Sequence, residues 1–178
     1  MLAGCTFIME LLGTVSTAMV DAEGTTDEVA APYSWWGRDM VFAPYYGAYA
    51  AAAALESVDH IEQLDDGKTA NAAYALYRDG KPVKVLLYNS AIYQTGTRSS
   101  ATFTVSGLVS DSVKAKRLTA QSAYSTVENG QNPTFAGQTF DNKTCEAKGQ
   151  EVFEAVNVGD DASVDFVLKA SEALLVYL

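Results

Sequence analysis

Length, composition and charge limit the classes of protein to which this chain can belong. It has 178 residues, of which 48% are hydrophobic and 19% charged, values that suit one folded domain rather than a disordered segment. Its formal net charge of −10 repels phosphate backbones and anionic lipid headgroups, so we expect no nucleic-acid binding and no membrane attachment. One histidine and two cysteines leave little for metal or catalytic-triad chemistry, and we predict neither a metal site nor a cofactor.

Residues 1–31 form an N-terminal segment in which a predicted helix, residues 1–20, precedes an acidic linker. The segment has no basic residue near its start, and Glu10 interrupts its apolar run, so it does not make a convincing signal peptide. No stretch reaches the roughly 18 uncharged apolar residues that cross a bilayer. Cys5 and Cys145 are either two separate thiols or one disulfide, because spacing alone does not decide their pairing.

Residues 32–58 begin with three aromatic side chains, Tyr33, Trp35 and Trp36. An alanine-rich stretch follows, and its proline near the first turn predicts a helix from Pro44 to Val58. This helix has almost no polar face before Glu56. We therefore expect neighbouring structure to cover most of its surface.

Short strands separated by turn residues fill residues 59–178. Asp79-Gly80 lies between two of them and predicts a two-residue hairpin turn. The predicted strands are Ala73–Arg78, Val83–Tyr88, Ala101–Ser106, Ser112–Leu118, Glu151–Val156, Ala162–Leu168 and Ala173–Leu178. Seven or eight strands with no helical period between them indicate a mainly β fold, an antiparallel β-sandwich.

Two of these strands, Val83–Tyr88 and Ala173–Leu178, are apolar at nearly every position. Strands of this kind are usually buried on both faces. One sheet of the sandwich should therefore pack against something besides its partner sheet, and the apolar helix makes the same demand.

The residues that could carry catalysis favour structural roles. His60 follows the predicted helix, where the helix dipole favours a histidine, and this position is not typical of a triad member. The pairs Asp65-Asp66 and Asp160-Asp161 lack the spacing of a calcium loop and predict turns. Glu151 and Glu154 are three residues apart in a predicted strand, so they point to opposite faces and cannot form the paired carboxylates of a glycosidase. We predict no catalytic residue.

Three further groups of residues bear on binding. The basic cluster of Lys114, Lys116 and Arg117 predicts a solvated strand face rather than an anion site. Five tyrosines lie in or near strands, namely Tyr74, Tyr77, Tyr88, Tyr93 and Tyr124. An exposed row of tyrosines would stack sugar rings, and core packing is the alternative. Asn142 begins an Asn-Lys-Thr tripeptide, which is an N-glycosylation acceptor.

Five motifs suggest a family. They are Ala43–Ala51, Val85–Ser90, Lys116–Ala120, Ala136–Phe140 and Ser171–Leu178. Together and in this order they resemble the C-terminal part of fungal glycoside hydrolases of family 79, the β-glucuronidase type. The resemblance covers about residues 32–178 and leaves residues 1–31 unmatched.

The resemblance implies a secreted enzyme in which a Greek-key β-sandwich packs on a (β/α)8 barrel. Residues 32–58 would then be a remnant of the last barrel loop and helix, and residues 59–178 the sandwich. The two catalytic glutamates of the family lie on barrel strands that have no counterpart in this chain. Tyr33 is the one residue to which the resemblance assigns substrate contact. A hydrophobic plug under the barrel rim is the alternative role for it.

The sequence therefore predicts a non-catalytic structural domain of a secreted, β-glucuronidase-like glycoside hydrolase, with the barrel as its partner and no activity of its own. Two alternatives stay open. One is a stand-alone glycan-binding module that uses its tyrosines. The other is a subunit that recruits a separate barrel through its exposed helix and sheet.

Overall fold

The computed structural model describes residues 41, 43–125, 130–141, 144 and 146–178. Helix α1 spans Ala43–Leu55, and every strand of this part of the chain follows it. The strands are β1 His60–Gln63, β2 Asn71–Arg78, β3 Lys81–Asn89, β4 Ser100–Ser106, β5 Ser112–Thr119, β6 Thr134–Phe135, β7 Thr139–Phe140, β8 Ala147–Lys148, β9 Glu154–Asn157, β10 Ser163–Lys169 and β11 Glu172–Tyr177.

The strands form one large sheet and two small ones, all antiparallel. The large sheet has seven strands in the order β1-β2-β3-β11-β5-β6, and β9 pairs with the start of β5 beside β6. β10 pairs with β4 in a two-stranded sheet, and β7 pairs with β8 in another. β10 and β11 thus return from the end of the chain to pair with β4 and to fill the gap between β3 and β5. The predicted antiparallel Greek-key β-sandwich with one helix is confirmed.

The helix ends earlier than the sequence predicted. The N–H of Glu56 donates the last helical hydrogen bond, to the carbonyl of Ala52 at 3.0 Å. Ser57 has a φ of 58°, a left-handed conformation that does not continue a right-handed helix. The predicted end at Val58 is therefore wrong by one turn.

The hairpin between β2 and β3 turns where the sequence predicted it. Asp79 and Gly80 have φ values of 52° and 72°, and two successive positive values are the signature of a type I′ turn. The turn joins Arg78 directly to its partner Lys81. The register that it sets ends at an irregularity between Leu76 and Tyr77, beyond which the pairing of the two strands is shifted by one residue.

The large sheet is buried on both faces, as its two apolar strands predicted. We call one face the helix-covered face; it packs against α1 and carries Tyr74, Leu76, Leu86, Tyr88, Leu118, Phe135, Ala173 and Leu175. The other, the sheet-covered face, packs against β4 and β10 and carries Val85, Leu87, Val113, Ala115, Leu174 and Val176. The additional body that the apolar strands required is, within the described residues, the helix α1.

The sequence predicted the long strands to within one or two residues and missed the short ones. β1 was not predicted, and neither were the two-residue strands β6, β7 and β8. The predicted strand Glu151–Val156 starts only at Glu154. Glu151 therefore lies before the strand, and the expected alternation between Glu151 and Glu154 across one strand is wrong.

Candidate functional site: the two faces of the large sheet

Helix α1 is anchored near its N-terminal end by Tyr46, whose side chain is completely buried. A turn with positive φ at Ala136 and Gly137 presents Thr139 and Phe140 to the helix. The Tyr46 hydroxyl accepts a hydrogen bond from the N–H of Phe140 at 3.0 Å and forms a second one with the Thr139 hydroxyl. The buried phenol is thereby satisfied.

Aromatic rings surround this anchor. The Phe140 ring lies 4.9 Å from the ring of Tyr45, 5.1 Å from that of Tyr46 and 4.9 Å from that of Tyr49, each edge to face. Edge-to-face pairs at these distances stabilise beyond the area that they bury. Two motifs of the family resemblance, Ala43–Ala51 and Ala136–Phe140, meet at this contact.

The other end of α1 is anchored by Lys84 of β3, a buried lysine with 8% of its surface exposed. Its ammonium donates to the carbonyls of Ala53 and Glu56, both at 2.8 Å, and to that of Ala54 at 3.3 Å. These carbonyls lie at the C-terminal end of the helix, where a cation also interacts favourably with the helix dipole. Burial lowers the pKa of Lys84, and the nearby Glu56 opposes that shift in part.

A row of lysines and aromatic rings continues from Lys84 across the helix-covered face. Tyr177 is the cross-strand neighbour of Lys84 on one side and of Lys114 on the other. The Lys116 ammonium lies 4.9 Å from the Phe153 ring centre and 5.7 Å from that of Tyr177. These distances are within the range of cation–π attraction.

Lys116 also corrects the prediction of a solvated face. Only 15% of its side chain is exposed, and its ammonium pairs with Glu151 at 2.5 Å. Burial works against the ammonium, but its interactions with Glu151 and Tyr177 together outweigh burial and raise the pKa of Lys116. Lys114 is exposed, as predicted.

Arg117 points to the opposite, sheet-covered face. Its guanidinium binds both oxygens of Glu154, at 2.6 and 2.8 Å, and one oxygen of Glu172 at 2.9 Å. The bidentate bond to Glu154, followed by the charge of Glu172, raises the pKa of Arg117 above its usual value. The prediction that this arginine belongs to a solvated cluster is wrong.

Glu172 is the most buried acid of this network, with 6% of its surface exposed. Besides Arg117, it accepts hydrogen bonds from the Thr119 hydroxyl at 2.8 Å and from the N–H of Lys169 at 2.9 Å. Its carboxylate thus ties β5 to the turn that leads from β10 into β11. Because Glu154 and Glu172 both neutralise one guanidinium, neither is a free acid or a free nucleophile.

The loop formed by residues 90–98 also makes hydrogen bonds to the turn between β10 and β11. Arg98 donates to the carbonyls of Ala170 at 2.8 Å and Ala120 at 3.1 Å. The Ser171 hydroxyl donates to the carbonyl of Ala91 at 3.0 Å. The motifs Val85–Ser90, Lys116–Ala120 and Ser171–Leu178 of the family resemblance converge on this corner.

Of the other predicted site residues, the two aspartate pairs lie in turns as predicted, but the role favoured for His60 at the end of the helix is wrong, because the helix ends at Leu55. His60 is an exposed residue of the edge strand β1, 5.6 Å from the Tyr77 ring. Asp65 closes a turn by accepting hydrogen bonds from the N–H groups of Gly67 and Ala73. Burial opposes its ionisation, but those donors outweigh burial and lower the pKa of Asp65. Asp161 likewise accepts from Ser163.

The five tyrosines do not form one exposed row. Tyr74 and Tyr88 are buried under the helix, at 8% and 7% exposure, so core packing is confirmed for these two. Tyr93 is half-buried beneath the Arg98 guanidinium. Tyr124 is 41% exposed, and its hydroxyl accepts a hydrogen bond from the Gln94 amide.

Several predicted residues lie outside the described part of the chain: Tyr33, Trp35, Trp36, Asn142, Cys5 and Cys145. Substrate contact by Tyr33 and glycosylation at Asn142 therefore stay predictions. Among the described residues, no three His, Cys, Asp or Glu side chains come together as a metal site. In the same residues no helix is long and apolar enough to span a membrane.

Comparison with protein families identifies this architecture. The family model of the glycosyl hydrolase family 79 C-terminal beta domain matches residues 73–175, more than half of the chain. The chain belongs to this family. The family match begins in β2 and ends in β11, so it includes the Arg117 network and Lys84 and begins after α1.

Solved structures extend the likeness beyond the family match. The chain is 50% identical to a 4-O-α-L-rhamnosyl-β-D-glucuronidase from Fusarium oxysporum 12S, with a TM-score of 0.78 over 84% of this chain. It covers 32% of that enzyme, so it spans about a third of the length of this relative. A GH51 arabinofuranosidase from Xanthomonas axonopodis pv. citri is more distant, with 17% identity over 73% of this chain, 25% of that enzyme and a TM-score of 0.43. No curated protein matches the chain significantly.

The sequence did not identify Tyr46, Lys84 and Glu172 as anchoring residues. For Lys84 there was a signal, because it is the one charge within the apolar run Val83–Tyr88, and a buried lysine needs a partner. The partner itself was not readable, since the helix carbonyls are about 30 residues away in the chain.

Proposed function

We propose that this family 79 domain is a non-catalytic, structural domain of a secreted, β-glucuronidase-like glycoside hydrolase. Its task is to hold the last helix of a (β/α)8 barrel against a rigid sheet. The observation that carries the proposal is the position of α1. One side of this apolar helix is buried on the sheet, whereas Tyr49 is 42% exposed and Ala52 is exposed on the other side.

The exposed side of α1 supports a second packing partner. The helix contains no charged residue, and a helix that faces water on one side normally carries polar residues there. Tyr49 and Ala52 would instead suit an apolar neighbour such as the adjoining helices of a barrel. The unmatched two thirds of the Fusarium enzyme are long enough for such a barrel, which takes about 200 residues or more.

The charges on the sheet-covered face support the absence of catalysis. Glycoside hydrolysis needs one protonated and one ionised carboxyl group on either side of the sugar bond. Glu154 and Glu172 are both paired with the guanidinium of Arg117, at 2.6 and 2.9 Å. A carboxyl group whose oxygens are taken up by a guanidinium in this way is not available to protonate a leaving group.

Activity assays on the isolated chain test the proposal. The recombinant chain should not hydrolyse an aryl β-glucuronide, while the Fusarium relative run in parallel shows that the assay detects turnover. Replacing Glu172 with Gln distinguishes contamination from genuine activity. Turnover by the chain that disappears in Glu172→Gln, with the fold intact by circular dichroism, would overturn the non-catalytic role.

A second candidate function, glycan binding, rests on the surface tyrosines that the fold leaves accessible. Tyr124 and Tyr93 lie on neighbouring loops, since the N–H of Ala123 donates to the carbonyl of Tyr93 at 2.7 Å. A titration with a glucuronic-acid-bearing polysaccharide tests this function. Saturable binding that is lost in Tyr124→Ala but kept in Tyr77→Ala would support it, and no binding at millimolar sugar would remove it.

Secretion and glycosylation belong to the same proposal. Asn142 is the acceptor of the Asn-Lys-Thr tripeptide, and an extracellular route would expose it to the glycosylation machinery. Expression of the parent protein in a fungal host should place it in the medium. A shift in gel mobility after enzymatic deglycosylation, absent in Asn142→Gln, would support the modification.

A further inference from the structure

The apolar surface of α1 does not by itself fix how the helix sits on the sheet. The helix reads APYYGAYAAAAAL and contains no charged residue. In most helices an apolar stripe opposite a polar face decides which side is buried. In α1, rotation about the helix axis would exchange one alanine or tyrosine for another at the sheet surface, so apolar burial changes little between alternative orientations.

Two buried polar groups fix the orientation of the helix, which the apolar contacts leave open. The Tyr46 hydroxyl has its partners in β7, Thr139 and the N–H of Phe140. The Lys84 ammonium has its partners at the far end of the helix, the carbonyls of Ala53 and Glu56. Ala53 and Glu56 follow Tyr46 by seven and ten residues, so the anchors lie about two to three turns apart along the chain. Together they fix both its rotation and its position along its axis.

Each anchor opposes a different movement: Tyr46 opposes rotation of the helix, and Lys84 opposes displacement along its axis. A shift by one residue rotates the helix by about 100° and carries the Tyr46 hydroxyl away from β7. A displacement along the axis would carry the carbonyls of Ala53, Ala54 and Glu56 away from the Lys84 ammonium, and an unpaired buried charge is strongly unfavourable. Polar groups are known to specify one register in this way where apolar contacts alone allow several.

We propose that Tyr46 and Lys84 form a two-point register device that selects a single orientation of α1 on the helix-covered face. The device stands on contacts within this chain and does not depend on the proposed function. Its consequence is that the exposed side of the helix, with Tyr49 and Ala52, is presented in one fixed direction. A surface that binds a partner must present its residues in one fixed orientation.

The test compares variants of the full chain that remove one anchor each and keep its shape. Tyr46→Phe deletes one buried oxygen, and Lys84→Met keeps the length of the side chain without its charge. The amides of residues 43–55 should exchange with deuterium at least tenfold faster in each variant, and faster still in the double variant. Exchange in β4 and β10 should stay within twofold of the wild-type rate.

Nuclear magnetic resonance spectra of the tyrosine rings give a second readout. In the double variant the Tyr45 and Tyr49 rings should broaden or give more than one set of signals, because several helix orientations become populated. A merely stabilising role would leave one set of signals. Should the double variant not fold, Tyr46→Phe decides alone, since the ring stays buried and only the oxygen is lost.

Matched controls separate the device from general effects. Tyr77→Phe removes a hydroxyl that binds Glu62 at the surface, and Lys114→Met removes an exposed lysine of the same face. Neither should alter exchange in α1. Lys84→Arg restores a cation with donors and should recover part of the protection. Wild-type protection and single ring signals in both anchor variants would overturn the proposal.

Discussion

The two faces of the large sheet are covered by different elements, a pair of strands on one face and a helix on the other. The difference shows where a pattern of apolar residues can orient the covering element and where it cannot. The sheet-covered face meets β10, in which Val164, Phe166 and Leu168 are buried and the residues between them are not. That alternation leaves one way for the strand to face. The helix-covered face meets a helix without such a pattern, and buried polar contacts orient it.

The charged side chains also differ between the two faces of the large sheet. On the sheet-covered face one guanidinium joins two carboxylates, Glu154 and Glu172, in a closed ionic network. On the helix-covered face Lys84 binds neutral carbonyls, and Lys116 shares its charge among aromatic rings and Glu151. The ionic network around Arg117 joins strands to one another. Lys84 and Lys116 instead join the sheet to the helix and to the segment that carries Glu151.

The largest effect is expected from Arg117→Met, which breaks the ionic network of the sheet-covered face. Glu172 would stay buried without its main cation, and removing one partner of a buried ion pair costs about 3–5 kcal/mol. Urea denaturation measures the loss in free energy of unfolding. Arg78→Met, at an exposed strand end, should cost less than about 0.5 kcal/mol. A loss below about 1 kcal/mol in Arg117→Met would contradict the importance of this network.

The neighbouring residues Leu174 and Leu175 separate the two faces most sharply. Both are fully buried, at 0% and 1% exposure, one on each face. Each change to alanine should cost about 3 kcal/mol. Hydrogen exchange should differ between them, because Leu175→Ala loosens α1 whereas Leu174→Ala loosens β4 and β10. Identical exchange patterns in the two variants would mean that the faces are not independent.

A third test compares the stability of the wild type with that of Lys84→Met as a function of pH, and it probes the contact between the sheet and the helix. Burial lowers the pKa of Lys84 below its usual 10.5 in the folded chain, so the unfolded chain binds the proton more tightly. By linkage, stability attributable to this residue rises with pH between the lowered pKa and 10.5. The difference in unfolding free energy, wild type minus Lys84→Met, should therefore grow over this window.

The control for the pH series is Lys84→Arg, whose guanidinium stays charged throughout the window. Its unfolding free energy relative to Lys84→Met should not change with pH. A wild-type difference that stays flat or falls as the pH rises would show that the buried ammonium is not penalised in the folded state.

The smallest effect on stability is expected from Ala52→Glu, on the exposed side of α1. A surface change of this kind costs less than about 0.5 kcal/mol, but it places a charge in the exposed apolar patch around Tyr49. The wild-type chain should self-associate at tens of micromolar because large exposed apolar patches favour association. Size-exclusion chromatography should show a more monomeric Ala52→Glu variant. Ser110→Glu, in a distant exposed loop, should behave as the wild type.

The sequence predicted most of the fold because its long strands carry strong local patterns. Asp79-Gly80 predicted the hairpin between β2 and β3, and the unbroken apolar stretch in β11 predicted burial on both faces. The two-residue strands β6 and β7 could not be predicted, since two residues cannot show a repeating pattern of apolar and polar side chains. Their place is set by contact with α1, nearly a hundred positions earlier in the chain.

The candidate site was less predictable because its key contacts join distant parts of the chain. Glu154 and Arg117 meet across 37 positions, and Glu172 and Arg117 across 55. The sequence assigned Glu154 to a strand with Glu151 and grouped Arg117 with a basic cluster that was predicted to be solvated. Only the pairing of β5 with both β9 and β11 brings these side chains together.

The place of β11 in the large sheet has a consequence for synthesis of the protein on the ribosome. β11 is the last strand in sequence, yet it is hydrogen-bonded on both edges between β3 and β5. Until its residues emerge, the strands on either side have no common neighbour and their apolar surfaces stay open. The large sheet can therefore close only after β11 has left the ribosome, and until then its apolar surfaces are exposed to aggregation.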